Sequence, residues 1–270
     1  MNSIVITGRS KGIGWGLANV FLAEGCQVTI SSFAREEVIA AHKAFAEQYG
    51  EDRVIWNECD VTKIAQVEAL WEDAVKAFGK VDIWINNAGI VNDIHQLWDV
   101  EPEEVARVVN TNVVGTLYGV RVAMRGLMEQ GHGTLYNFYG FGSQDEKKPA
   151  GLTCYGSTKR AVRYITECLM EETKDGPVKV GALMPGTVIT DFIFKVLRST
   201  PKEEYDQMVK GFNIGADTIE DVTEFLAKEV LKNDEHGTVI NWLTQEQFMA
   251  RLEDPYYQNR DIFSDIKDKL

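Results

Sequence analysis

The chain is short of cysteine, histidine and positive charge, and each shortage closes off a class of function. Its four cysteines, Cys26, Cys59, Cys154 and Cys168, lie far apart with no C-x-x-C. They form neither a metal motif nor a disulfide framework, and they read as small buried hydrophobes in a reducing compartment. The four histidines, His42, His95, His132 and His236, make no H-E-x-x-H and no spaced cluster. No metal site is expected. No apolar run is long enough to cross a bilayer, and no N-x-[ST] acceptor occurs. Against 41 Asp and Glu stand only 28 Lys and Arg, a net charge of -13. Such a surface repels phosphate backbones and anionic headgroups, which argues against nucleic-acid binding. The stretch ahead of S-I-V-I-T leaves no room for a signal or transit peptide. The expected location is cytoplasmic, or that of a soluble organellar core from which a transit segment was removed.

In bulk the 270 residues are ordinary, 44% apolar and 26% charged, enough for one large α/β domain or two small ones. Their order says more. Strand patterns fall at 3–7, 27–31, 53–60, 81–89, 133–140, 178–186 and 237–244. Helical patterns fall between them, at roughly 13–24, 35–49, 63–78, 102–129, 152–173 and 220–232. Within 63–78, Ile64, Val67, Trp71, Ala74, Val75 and Phe78 make one apolar stripe. The alternation predicts an α/β fold: a doubly wound, seven-stranded parallel sheet with helices on both faces. The stretch 186–219 exceeds ordinary connection lengths, which predicts a functional lid.

One end of this pattern suits a nucleotide. The turn T-G-R-S-K-G-I-G follows the first strand and opens a helix. Backbone N–H groups and a helix N-terminus face an anion there, so Gly8, Arg9, Ser10, Lys11, Gly12, Ile13 and Gly14 are candidate cofactor contacts. Strand two ends near Ser32, without the carboxylate that would hold a ribose diol. Arg9, Lys11 and Arg35 can reach a 2′-phosphate, so NADP(H) is favoured over NAD(H). The alternative is that these cations are solvated surface charge. Asp60, with Val61 beside it, ends strand three and can meet the adenine edge. Asn86, Asn87, Ala88 and Gly89 make a tight turn after strand four.

The other end suits a carbonyl. Its reduction needs an acid to protonate the oxygen and donors to hold it. Tyr155 and Lys159, at i and i+4, share a helix face. A neighbouring ammonium is expected to lower the phenol from its ordinary pKa near 10.

T-G-R-S-K-G-I-G, N-N-A-G (86–89), N-T-N-V-V-G (110–115), Y-G-S-T-K (155–159) and P-G-T-V-I-T (185–190) together resemble the classical short-chain dehydrogenase/reductase superfamily, over about residues 3–244. The resemblance implies a Rossmann-type NAD(P)-binding domain over 1–270. It also implies an NAD(P)(H)-dependent oxidoreductase acting on CH–OH or carbonyl groups, as a homodimer or homotetramer. It makes Tyr155 and Lys159 cofactor contacts too, Lys159 through the nicotinamide ribose. Asn112 would hold a proton-relaying water; Asn110 competes for that place but fits the spacing less well. Pro185, Gly186, Val188 and Thr190 would line nicotinamide and pyrophosphate.

In most members a serine directly follows strand five. Here that place reads Asn137-Phe138-Tyr139-Gly140, and the next hydroxyl is Ser143, twelve residues before Tyr155. Gly140 and Gly142 give the turn freedom to bring it back; otherwise Ser143 is a polar loop residue. The phrase N-x-x-G-x-G-S, with L-M-P-G-T-V-I-T-D and V-I-N-W-L-T, is similar to the chlorophyll b reductase branch, which supports Ser143 as the serine. That branch implies reduction of the formyl group of chlorophyll b to hydroxymethyl by NADPH, and so a bulky, hydrophobic, chlorophyll-like tetrapyrrole as substrate. The expected lid at about 188–215 carries the apolar block Phe192 to Leu197, with Lys195 inside it, which could equally be a helix packing on the body, and 245–270 forms a tail. Phe138, Tyr139 and Phe141 could stack on a macrocycle or serve as core. Two other readings stay open: a reductase or dehydrogenase of another bulky carbonyl or alcohol, and a non-catalytic NADP-sensing module. Retention of Tyr155, Lys159 and Asn112 together argues against the second.

Overall fold

In β1 (Ser3–Ile6), Ile4 and Ile6 enter one core while Val5 enters another. β4 (Ile83–Asn86) divides Ile83 and Ile85 from Trp84 in the same way. This is the period of two that the pleat imposes, and strands apolar on both faces need cover on both. A computed structural model, which describes residues 1–8, 11–144 and 150–264, gives that cover. α1 (Ile13–Ala23), α2 (Arg35–Tyr49) and α9 (Ile219–Lys232) pack on one face. α3 (Ile64–Phe78), α5 (Gly115–Gln130) and α6 (Thr153–Thr173) pack on the other.

The other strands are β2 (Gln27–Ser32), β3 (Val54–Glu58), β5 (Gly133–Phe138), β6 (Val178–Met184) and β9 (Val239–Asn241). Seven strands pair in parallel in the order β3-β2-β1-β4-β5-β6-β9. The expected doubly wound sheet is present, and the chain order reverses between β1 and β4, where such folds form their binding crevice.

Three features depart from the sequence reading. The helix expected over 102–129 is α4 (Pro102–Val109), a π turn Asn110–Val114, and then α5. A π turn carries an extra residue per turn, a device common at functional sites, and here it turns Asn112 inward to 1% exposure. The 186–219 stretch holds α7 (Asp191–Ser199) and α8 (Lys202–Gly215), flanked by β7 (Thr187–Val188) and β8 (Ala216–Asp217), which pair in parallel. The tail is helical in α10 (Gln245–Glu253), which opens on a Thr244–Gln247 capping box, and in α11 (Pro255–Asn259).

Two buried polar clusters fix the surroundings of the crevice. Where β4 meets β5, Asn86 and Asn137 stand in register. Asn86 donates to Asn137 at 2.9 Å and accepts from the Trp84 indole at 2.8 Å, while Asn137 donates to Thr166 at 2.9 Å. Farther out, the buried Asp217 carboxylate accepts from Arg251 at 2.7 Å, Arg260 at 3.0 Å and Trp242 at 2.7 Å. Both guanidinium groups lie against the Tyr257 ring, at 4.5 and 4.8 Å. The tail is thereby fastened to β8, and through β7 to the chain after β6.

Candidate active site

The glycine turn brings backbone against backbone. Gly8 has φ 103°, and a Cβ there would lie 2.6 Å from Ala88 Cα. Only glycine fits this close approach. Thr7 completes the junction: its hydroxyl accepts from the N–H groups of Asn87 and Ala88, and its carbonyl accepts from the Asn87 amide at 2.9 Å. α1 begins next, with no acidic residue in its first turn and no side chain capping it. Its N–H groups and dipole are left for an anion. This end fits the pyrophosphate of a nicotinamide dinucleotide. Arg9 and Ser10 lie outside the described residues.

The expected cations near the adenosine end are already paired. Lys11 bonds Glu37 at 3.0 Å, and Arg35 bonds Glu58 at 2.9 Å while covering the Trp56 ring at 5.3 Å. Both pairs are exposed, and such pairs contribute at most about 1 kcal/mol, so a phosphate dianion can compete for either cation. Ser32 is buried, its hydroxyl accepting from the Ala34 N–H at 3.1 Å. Asp60 is turned onto Thr62, accepting from its N–H at 3.0 Å and its hydroxyl at 2.7 Å. Val61 is buried, next to where a Cβ on Gly115 would sit.

α6 carries Tyr155 and Lys159 into a cavity of about 1760 Å3, which Lys11, Gly12, Ile13, Gly14, Asn87, Gly89, Pro185, Gly186, Val188 and Thr190 also line. The residue that caps this helix is not legible in the sequence. Asn92, fully buried, accepts from the Tyr155 N–H at 3.1 Å and donates to the Gly151 carbonyl at 2.9 Å. It satisfies an N–H of the first helical turn, which has no partner within the helix. Lys159 donates to the Phe138 carbonyl at 3.1 Å, and its ammonium lies 5.9 Å from the Tyr155 ring centre. Asn112 exchanges hydrogen bonds with the Ile90 backbone, 2.8 Å in each direction, and donates to Thr158 at 2.9 Å. It ties the loop after β4 to the helix that carries the pair. Asn110 is exposed on the outer surface.

Burial governs the titration of both groups. It pushes the Tyr155 phenol up and the Lys159 ammonium down to about 8. For the phenol the direction comes from desolvation and is opposite to the lowering expected from its lysine. A lysine with a depressed pKa is protonated below that value and neutral above it. Reduction by the free enzyme should lose kcat/KM as pH rises through about 8. A pH profile with a simple aldehyde checks this, and a profile flat to about pH 10 would contradict it.

Phe192 on α7 lies against Tyr155, with ring centres 5.8 Å apart and the planes tilted by 33°. Lys195, one turn on, lines the cavity, pairs with Asp93 and holds its carboxyl below the usual range. Ser143 does not line the cavity. Its hydroxyl is fully buried and has no hydrogen-bond partner among the described residues. Gly140, Phe138, Tyr139 and Phe141 do line it. Gly142 has φ 96°, and a Cβ there would lie 2.5 Å from Gly156 Cα, so the turn is pinned to α6.

The family model described as short chain dehydrogenase matches residues 2–200. The chain belongs to the short chain dehydrogenase family. It is thus an NAD(P)-dependent oxidoreductase acting on carbonyl or alcohol groups. This short chain dehydrogenase is 35% identical over 235 residues to the chlorophyll(ide) b reductase NOL of Arabidopsis thaliana, covering 84% of this chain and 65% of the relative. It is 31% identical over 266 residues to the probable chlorophyll(ide) b reductase NYC1 of Oryza sativa subsp. japonica, covering 93% and 51%. The chain thus spans about half to two-thirds of the length of these relatives. Among solved structures it matches the NADP-bound ElxO with TM-score 0.74 and 26% identity, covering 89% of this chain and 96% of that one. No described helix is long and apolar enough to cross a membrane.

Proposed function

We propose that the chain reduces the formyl group of a chlorophyll b-like tetrapyrrole, with NADPH as reductant. The observation that carries this reading is the size of the cavity around Tyr155. At about 1760 Å3 it exceeds the roughly 300–1,000 Å3 of common ligand sites, leaving room beside a dinucleotide for a large second molecule. The chlorophyll(ide) b reductases among the relatives add to it. Preference for NADPH is supported by Lys11 and Arg35 and by the lack of a carboxylate at Ser32.

When bound, NADPH supplies the hydride. Tyr155 Oη holds the carbonyl oxygen and delivers the proton. Lys159, fixed by the Phe138 carbonyl, supplies charge beneath the ring and binds the nicotinamide ribose. Asn112, its amide taken up by Ile90 and Thr158, holds the loop facing them rather than the relay water. α7 and α8 act as the lid, with Phe192 against Tyr155 and Lys195 paired with Asp93. A homodimer or homotetramer and a cytoplasmic setting belong to the same reading.

The test is incubation of the purified protein with chlorophyll b or chlorophyllide b and either NADPH or NADH. The pigment spectrum should shift to that of the hydroxymethyl product, faster with NADPH. An unchanged spectrum alongside turnover of simpler aldehydes would favour another bulky carbonyl substrate. Turnover of neither would leave a nucleotide-binding module.

A further inference from the structure

Gly140 is a glycine that the backbone does not need. Its φ is not among the positive values, so any residue could adopt its conformation. A Cβ built there would lie 2.7 Å from Tyr155 Oη, 3.2 Å from Lys159 Cε and 3.4 Å from Lys159 Cδ. The three nearest atoms are thus all side-chain atoms of the reactive pair, and none is backbone. Gly142, two residues on, is the opposite case: its left-handed φ and its contact with the Gly156 backbone make it a requirement of the fold. At position 140 the cost of a side chain falls on the pair alone.

We propose that Gly140 is a positioning residue for the reaction: its bare Cα sets where the Tyr155 hydroxyl stands. It also leaves Tyr155 as the side-chain donor to the carbonyl oxygen on this wall. Tyr139 lines the cavity, but its side chain is buried and packs with Val162 and Ala182. The Ser143 hydroxyl is buried, does not line the cavity and has no partner among the described residues. The inference rests on the reductase reading given above.

An added methyl forces Tyr155 Oη to move by about 0.7 Å to reach ordinary contact at 3.4 Å. Displacements near 1 Å at a reacting group can cost about a hundredfold in rate. Wild type is assayed first with NADPH and either chlorophyllide b or 2-naphthaldehyde; absence of turnover of both would sink the reductase reading itself. In Gly140→Ala, kcat should fall about tenfold or more, NADPH affinity should stay within about twofold, and the alkaline fall of kcat/KM should move to a new pH. Wild-type kcat with an unmoved pH profile would overturn the proposal. So would a Ser143→Ala variant that loses turnover while Gly140→Ala keeps it. Should Gly140→Ala fold poorly, thermal melts of the Gly140→Ala, Tyr155→Phe double variant decide the cause. Stability regained without the phenolic oxygen supports the contact, and stability still lost refutes it.

Discussion

Tyr155→Phe should lower kcat for carbonyl reduction by about 10^3, within the 10^2–10^4 that a positioned acid contributes. The substitution removes one oxygen and leaves the rest of the ring's surroundings in place. Phe192 still packs at 5.8 Å, and the Lys159 ammonium still lies 5.9 Å from the ring centre. The α6 cap at residue 155 uses the backbone N–H, which Phe keeps. Folding and cofactor affinity should therefore be retained. NADPH fluorescence titration should give a dissociation constant within about twofold of wild type while steady-state turnover collapses. Undiminished turnover would place the acid elsewhere in the cavity.

The second large effect is on stability. Asp217→Ala should destabilise the fold by about 3–5 kcal/mol, the cost of leaving a buried ion pair half-made. Two guanidinium groups lose their carboxylate at once, with side-chain exposures of only 11% for Arg251 and 15% for Arg260. The Trp242 indole loses its acceptor as well. The melting temperature should drop by roughly 10 °C for a chain of this size. Differential scanning calorimetry measures it, and a drop within about 2 °C would show that water replaces the carboxylate. Asp217→Asn, which keeps an acceptor oxygen but no charge, should fall between the two.

What could be read beforehand follows from how far each signal reaches along the chain. The glycine turn and Tyr155–Lys159 were legible because turns and helices join residues a few positions apart. The parallel sheet was legible because strand and helix patterns alternate along the chain. The cap of Tyr155 by Asn92 and the Lys195–Asp93 pair were not, because loop paths bring those partners together. Asn112 was found by its motif, but its inward turn depends on one extra residue in a helix, which periodicity does not register. Counting residues located Ser143 and Gly140; it could not say which would face Tyr155. The fixed approach of Gly142 to Gly156 decides that.

The Asn86–Asn137 pair has a consequence for how the chain can change over generations. Each amide fills a buried valence of the other at the strand ends that lead into the site. An apolar residue at either position alone strands its partner's amide, at about 1–3 kcal/mol. Gly119 is bound to the same bargain, since a Cβ there would lie 2.0 Å from Asn86 Oδ1. Drift at these three positions is therefore coupled: paired replacements pass where single ones are weeded out.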